Sequence, residues 1–347
     1  MTGLAVSLAS RSGVSAAEVA DLARVAEAAG LDAVFLAERA ADGLALAHSA
    51  LLATERLTVG TAIANAGVRH PAMTAMTAAT LAEESGGRFV LGLGVANAAL
   101  NETMLGLAAT RPVSYMREYV GVLRSILYGH PEPPPGEYFT VTGFVPDRPP
   151  NARVPIYLAG LLPKMLALAG ELADGVLLNL MTTAALPAVR RHIDTGLTRA
   201  GRTRVDLVVA CLLPCCISAD TEAAARAARQ VVAGYAMHPA AGKLFSNSGF
   251  APELLKIRER LTDGDERAAE SVSDAMIDAF IVHGRAEVLP ERIQAYRDAG
   301  VDLPVLFPMP VDDGWIPAMD RVIRAAEPFR SATTDTTTPK RKDAQHV

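Results

Sequence analysis

Short apolar runs alternate along this chain with longer stretches in which apolar positions recur every three or four residues. The short runs read as strands buried on both faces, and the longer stretches as helices with one face on a core. Leu4–Leu8 is the first strand. A helix over Ala16–Ala29 follows, with Val19, Leu22, Val25, Ala26 and Ala29 on one face. Ser15 and Glu18 form a capping box at its start, and Gly30 stops it. The pattern continues as strand Ala33–Leu36, helix Leu44–Thr54, strand Leu57–Ile63, a helix from Pro71 to Ser85, and strand Phe89–Leu93.

A looped stretch leads to a helix over Ser114–Tyr128, with Met116, Val120, Leu123 and Leu127 on one face. Residues 129–155 hold eight prolines and read as an inserted arm with a small hairpin around Tyr138–Val141. The alternation resumes with Ile156–Leu158, a helix at Pro163, Val176–Leu178, a helix over Pro187–Ala200, strand Val205–Leu213 and a helix over Thr221–Met237. Residues 239–279 break the rhythm as a helical insertion. Phe280–His283, a helix over Pro290–Ala299 and Val305–Phe307 return to it, and Trp315–Phe329 closes as a helix. About eight strands separated by helices predict a (β/α)8 barrel over residues 1–330, with insertions near 95–113, 129–155 and 239–279. A doubly wound open sheet is the alternative. Residues 331–347 have the composition of a disordered tail.

With 347 residues, half of them hydrophobic, the chain can bury a large core. Its 33 Lys+Arg against 38 Asp+Glu give a formal net charge of −5, with no basic stripe. A nucleic-acid partner is therefore not expected. No apolar run spans a bilayer and no leader-like segment opens the chain, so a cytoplasmic protein without membrane contact is expected. Cys211, Cys215 and Cys216 lie in one strand-like region and read as buried, reduced thiols. No metal-ligand spacing surrounds them.

The stretch Ile156–Asn179 reads as strand, tight turn, helix, strand, with Pro163 and Lys164 where the helix begins. A helix N-terminus carries unpaired N–H groups and partial positive charge, which suits a phosphate. Proline in the first turn loses nothing, because that N–H has no intrahelical partner. Gly92-Leu-Gly-Val-Ala-Asn97 also follows a strand, but it lacks a third glycine and the next helix begins near Ser114. It is not a dinucleotide fingerprint. In a barrel its residues reach the strand end, where Asn97 is a polar group on the rim or the glycines merely turn the chain.

Glu38 and Arg39 end the second strand, where charged side chains either face the barrel mouth or pair with each other at the surface. Thr61-Ala-Ile-Ala-Asn65 ends the third strand and is small enough for a flat ring to lie against. His70, before Pro71, is either an acid or base toward substrate or a helix cap. His238 and His283 sit at loop ends, and His283, just after a strand, is the stronger pocket candidate. His48 and His192 fall within helices.

Gly87-Arg-Phe-Val-Leu-Gly-Leu-Gly94, Arg117-Glu-Tyr-Val-Gly-Val-Leu-Arg124 and Leu158–Asn179 together resemble the bacterial luciferase-like superfamily. They are most similar to its coenzyme F420-dependent oxidoreductase branch, with methylenetetrahydromethanopterin reductase and F420-dependent dehydrogenases. The resemblance implies a (β/α)8 barrel, usually dimeric through its early helices, with the deazaflavin in the mouth. It places the cofactor phosphate on Ala159, Gly160, Leu161, Leu162 and Pro163, with Lys164 beside them. It places a non-proline cis peptide near Ala62-Ile63-Ala64, with Thr61 and Asn65 flanking it. Val95, Ala96 and Asn97 match the loop beside the ring.

The chain also departs from that pattern. Glu38-Arg39 stands where many F420-dependent dehydrogenases have Asp-His, Asn97 where some have Glu, and Leu162 where glycine is frequent. The first two changes remove the usual acid/base partners for alcohol oxidation and favour a hydride-donating reductase. Arg39 is always charged, so it orients an anion or a carbonyl but does not shuttle protons. The expectation is an enzyme that moves a hydride between F420 and a small organic substrate, with Glu38, Arg39, Asn97 and His70 facing that substrate. An FMN-dependent luciferase-like monooxygenase and a non-catalytic F420- or flavin-binding protein are the alternatives.

Overall fold

Eight parallel strands close into a barrel in the structure, a computed structural model that describes residues 3–8, 13–96, 100–108, 111–130, 134–147 and 151–327. The first half runs β1 (Ala5–Leu8), α1 (Ala16–Ala28), β2 (Ala33–Leu36), α2 (Gly43–Ala53), β3 (Thr58–Thr61), β4 (Ala64–Asn65), α3 (Pro71–Glu84) and β5 (Phe89–Gly94). Then come α4 (Pro112–Tyr128), β6 (Ile156–Ala159), α5 (Pro163–Leu172), β7 (Gly175–Asn179), α6 (Leu186–Arg199) and β8 (Val208–Ile217). An excursion of α7 (Thr221–Ala236), α8 (Pro239–Phe245), α9 (Ala251–Thr262) and α10 (Asp274–Phe280) precedes β9 (Val282–Gly284). The chain closes with α11 (Leu289–Asp298), β10 (Leu303–Pro308) and α12 (Trp315–Ala325).

The staves are β1, β2, β3, β5, β6, β7, β8 and β10, and β10 seals the barrel by pairing with both β8 and β1. The short strand at Val282–Gly284 is not a stave. Strand β8 runs ten residues, and β7 pairs with it only as far as Leu212. The exposed edge beyond is taken by β9, in register from Cys215 to Ile217. An unpaired edge of backbone donors and acceptors recruits a strand wherever one is near.

Alternate residues of the staves fill the interior, among them Ala5, Phe35, Val90, Tyr157, Leu177, Val305 and Phe307. The barrel is thus packed and not a pore, and ligands are confined to its mouth. Space is made by small residues: a Cβ on Gly92 would stand 1.7 Å from the Thr61 carbonyl oxygen. The capping box at α1 forms, with the Glu18 N–H donating to Ser15 Oγ and the Ser15 N–H to Glu18 Oε2.

The expected hairpin around Tyr138–Val141 does not form. That stretch is irregular, and its backbone N–H groups at Glu137, Tyr138 and Phe139 donate to the Glu118 carboxylate of α4. A single carboxylate accepting three N–H groups replaces the strand partner this arm lacks. The expected third strand is broken in two at the cis peptide Ala62–Ile63. The tail 331–347 lies outside the described residues. Among the described residues, no helix is long and apolar enough to cross a membrane, and no cluster of ligating side chains suits a metal ion.

Candidate active site

A cavity of ≈ 600 Å³ opens at the C-terminal ends of β5 and β6, walled by the N-termini of α4 and α5 and by α8. The β6–α5 turn supplies Ala159, Gly160, Leu161, Leu162, Pro163 and Lys164. Opposite them stand Ile63, Gly94, Val95 and Ala96. The cavity therefore gathers most of the expected cofactor residues. It adds Val113, Met165 and Ala240, for which the sequence offered no reason, and His238, the weaker of its two loop-end histidines.

Helix α5 begins at Pro163 with Leu162 as its N-cap, and no side chain caps it. The Gly160 N–H donates to the Leu177 carbonyl at 3.1 Å, which ties the turn to β7. The N–H groups of Leu161, Leu162 and Lys164 have no hydrogen-bond partner among the described residues. These orphan donors, with the helix dipole behind them, form a seat for an anionic group. Leu162 has φ −117°, extended backbone that any residue adopts, so the glycine frequent at this position is not required.

The far wall is flat and small. The cis peptide Ala62–Ile63 turns Ile63 toward Gly94, where a Cβ would lie 3.3 Å from Ile63 Cδ1 and 3.2 Å from Ala159 Cβ. Thr61 lies behind this wall, fully buried: its hydroxyl donates to the Gly92 carbonyl and accepts the Gly92 N–H. Ala64 and Asn65 are likewise buried behind it, and Ala62 does not reach the cavity. Asn65 accepts the Gly67 N–H and donates to Asn101, whose own amide donates to the Val95 carbonyl at 2.6 Å. This relay pins the Val95–Ala96 loop to β4. Ala96 holds φ +52°, a left-handed conformation that a residue with a Cβ adopts at some cost. Asn97 lies outside the described residues.

At the end of β2, Glu38 does not pair with Arg39. Its carboxylate takes Arg69 Nη1 at 2.5 and 2.7 Å and the backbone N–H of Gly43 and Asn65. Arg69 also reaches Asp42 at 2.8 Å. Burial opposes ionisation of Asp42, but the Ala45 and Leu44 N–H groups and Arg69 outweigh it and hold its carboxyl below the usual range. Arg39 is half-buried and makes no ion pair or hydrogen bond among the described residues. His70 caps α3, accepting the Ala72 N–H on Nδ1, and packs edge-on against Phe139. It does not line the cavity.

His283, the stronger candidate from the sequence, pairs with Asp278 at 2.8 Å, away from the cavity. His238 lines the cavity instead. It caps α8 by accepting the Ala241 N–H on Nδ1, and burial pulls its pKa below the ordinary histidine value. Only folding could distinguish the two, since both precede or follow an element end in the same way.

A larger recess of ≈ 820 Å³ lies at the opposite, N-terminal end of the staves. Its charged residues are largely bound to one another, as in Arg153 to Asp174 at 2.6 Å. Barrel chemistry belongs to the C-terminal end, so the smaller apolar cavity is the candidate site.

The sequence profile of the family described as luciferase-like monooxygenase matches residues 2–303. The chain is similar to 5,10-methylenetetrahydromethanopterin reductase of Archaeoglobus fulgidus, 34% identical over 237 residues, which are 67% of this chain and 70% of that protein. The structure of the coenzyme F420-dependent tetrahydromethanopterin reductase of Methanopyrus kandleri superposes with a TM-score of 0.82 at 26% identity, over 95% of this chain and 99% of that one. An F420-dependent secondary alcohol dehydrogenase in complex with an F420-acetone adduct shares the fold, with a TM-score of 0.75 at 21% identity over 93% and 98%. Barrel, cis peptide and sequence profile agree, and the chain belongs to the luciferase-like monooxygenase family.

Proposed function

We propose that the chain is an F420-dependent oxidoreductase that moves a hydride between the deazaflavin and a small organic substrate. One observation carries this reading. An apolar cavity with a flat wall at Ile63, Gly94 and Ala159 opens beside the uncapped N-terminus of α5, so one ligand can place an aromatic ring and a phosphate there together. The residues fit the deazaflavin, and the names of the related reductases support the choice of cofactor. When bound, F420 supplies the hydride chemistry, and the protein supplies orientation and exclusion of water.

The chain's own residues favour the reductase direction. Glu38 is occupied by Arg69 and two backbone donors, so it braces the β2 end and is a poor proton shuttle. Arg39, which makes no ion pair among the described residues, is the group proposed to orient a carbonyl that accepts the hydride. His70 is engaged as the cap of α3 and stands off the cavity, so it carries no substrate role in this reading.

Equilibrium titration of the purified protein with F420 and with FMN tests the reading. Tight F420 binding with weak FMN binding is expected. The reverse result would place the chain with FMN-dependent monooxygenases, and F420 binding without substrate turnover would make it a binding protein. A homodimer through the early helices is part of the same proposal. Leu52 of α2 and Met73 of α3, 64% and 56% exposed, are the apolar side chains these early helices would offer to a partner.

A further inference from the structure

A second recess, of ≈ 300 Å³, lies between α7 and the connection from β10 to α12. We propose that it seats the body of an uncharged, largely apolar substrate; this rests on the oxidoreductase reading above and specifies its substrate class.

The recess is an extension of the barrel mouth. Phe307 belongs to the interior packing of the barrel, and Met309 packs on that same cluster together with Ile63 and Ala159. Ile63 and Ala159 line the first cavity, while Phe307 and Met309 line the second. The two recesses thus flank one apolar floor. The segment between them is also shared: Gly234 and Tyr235 face the second, and His238 and Ala240, a few residues on, face the first. On this proposal a molecule in the second recess lies beside an occupant of the first.

Its chemistry is selective. No Asp, Glu, Lys, Arg or His lines it, and its polar side chains are Gln230 and Tyr235. An anionic substrate would lose hydration there without gaining a counter-charge. The Tyr235 hydroxyl lies 3.4 Å from Asn179 Nδ2, and the buried Asn179 Oδ1 has no hydrogen-bond partner. Asn179 shares the inward face of β7 with Leu177, so Tyr235 is tied to the barrel end. The volume sits at the low end of small-molecule sites. The recess accordingly fits a neutral ring or short chain with one or two hydrogen-bonding groups.

Trp315 lines the recess and is the only tryptophan of the chain, so its emission reports on this site alone. The test titrates the protein with cyclohexenone and with glucose 6-phosphate and follows that emission in wild type and in Gly234→Leu. Gly234 lies within helix α7 and lines the recess, and a Cβ there meets nothing within 4 Å, so a leucine starts in open space at the recess wall and suits the helix better than glycine. Cyclohexenone should give a saturable change in wild type and bind roughly tenfold or more weakly to the variant. Glucose 6-phosphate should give none. F420 binding, measured separately by ultrafiltration, should be equal in the two proteins. Linear quenching identical in both proteins, or a saturable response to glucose 6-phosphate, overturns the inference while intact F420 binding leaves the cofactor reading standing. Absence of F420 binding overturns that reading independently.

Discussion

Two arginines near the end of β2 have different jobs, and substitution separates them. Arg69 is 19% exposed and neutralises Glu38, which is 9% exposed, so Arg69→Met strands a buried carboxylate. A loss of about 3 kcal/mol is expected in urea unfolding. Arg39 has no partner to strand among the described residues, so Arg39→Ala should change stability by less than about 0.5 kcal/mol while lowering kcat/KM. Equal losses of stability in the two variants would show that Arg39 is structural. The adjacency of Glu38 and Arg39 in the sequence left two readings, side chains facing the mouth or a mutual pair. The true partner is thirty-one positions away and is brought in by the β4–α3 connection.

His238 makes stability depend on pH with a defined sign. Its Nδ1 accepts the Ala241 N–H, and its folded pKa lies below the unfolded value because burial disfavours the cation. The neutral cap contributes fully above the unfolded value, about 6.5, and is lost as the pH falls through the lower folded value. Wild type should therefore lose thermal stability toward acid relative to His238→Asn, since asparagine caps a helix without titrating. A constant difference between the two curves across this range would exclude the histidine as the source.

At the scale of elements, the proposed phosphate seat depends on how α5 is held. Helices α5 and α6 cross at Gly170 and Gly196. A Cβ on Gly196 would stand 1.8 Å from the Ala167 carbonyl oxygen, and one on Gly170 2.2 Å from that of Ile193. Gly196→Ala must push the helices apart, at a cost of about 1–3 kcal/mol. Because α5 carries the orphan N–H groups at its N-terminus, the same variant should weaken cofactor binding, read by the F420 titration. Pro163 and Lys164 were legible as a helix start because proline is tolerated there and almost nowhere later in a helix. Gly170 and Gly196 were not, since mid-helix glycine looks only like weak propensity until a second helix is seen against it.

Strand β8 gives a simpler check. Cys211, Cys215 and Cys216 are buried and free, and burial pushes the first two thiols up to about 12 and raises the third as well. Native protein should react with a thiol-specific disulfide reagent at neutral pH only as fast as it unfolds.

On the scale of the molecule, the exposed Leu52 and Met73 bear on assembly. A Leu52→Glu, Met73→Glu double variant should sediment as a monomer if α2 and α3 form the subunit contact, while a dimer that survives places the contact elsewhere. The sequence by itself determined the alternation of strands and helices, favoured the barrel over an open sheet, and marked the turn before Pro163 as a helix start. These rest on local rules: the period of apolar residues, the capping box at Ser15 and Glu18, and the fixed φ of Pro163. The resemblance carried by Gly87–Gly94, Arg117–Arg124 and Leu158–Asn179 added the cis peptide and the cofactor class. Tertiary structure alone decided that Arg69 and not Arg39 answers Glu38, that His238 and not His283 reaches the cavity, and that β9 hangs on β8 outside the barrel. It also revealed the Asn65–Asn101–Val95 relay and the recess at Trp315. Each of these joins residues far apart in the chain, and side-chain reach and packing across a closed barrel leave no periodic trace in the sequence.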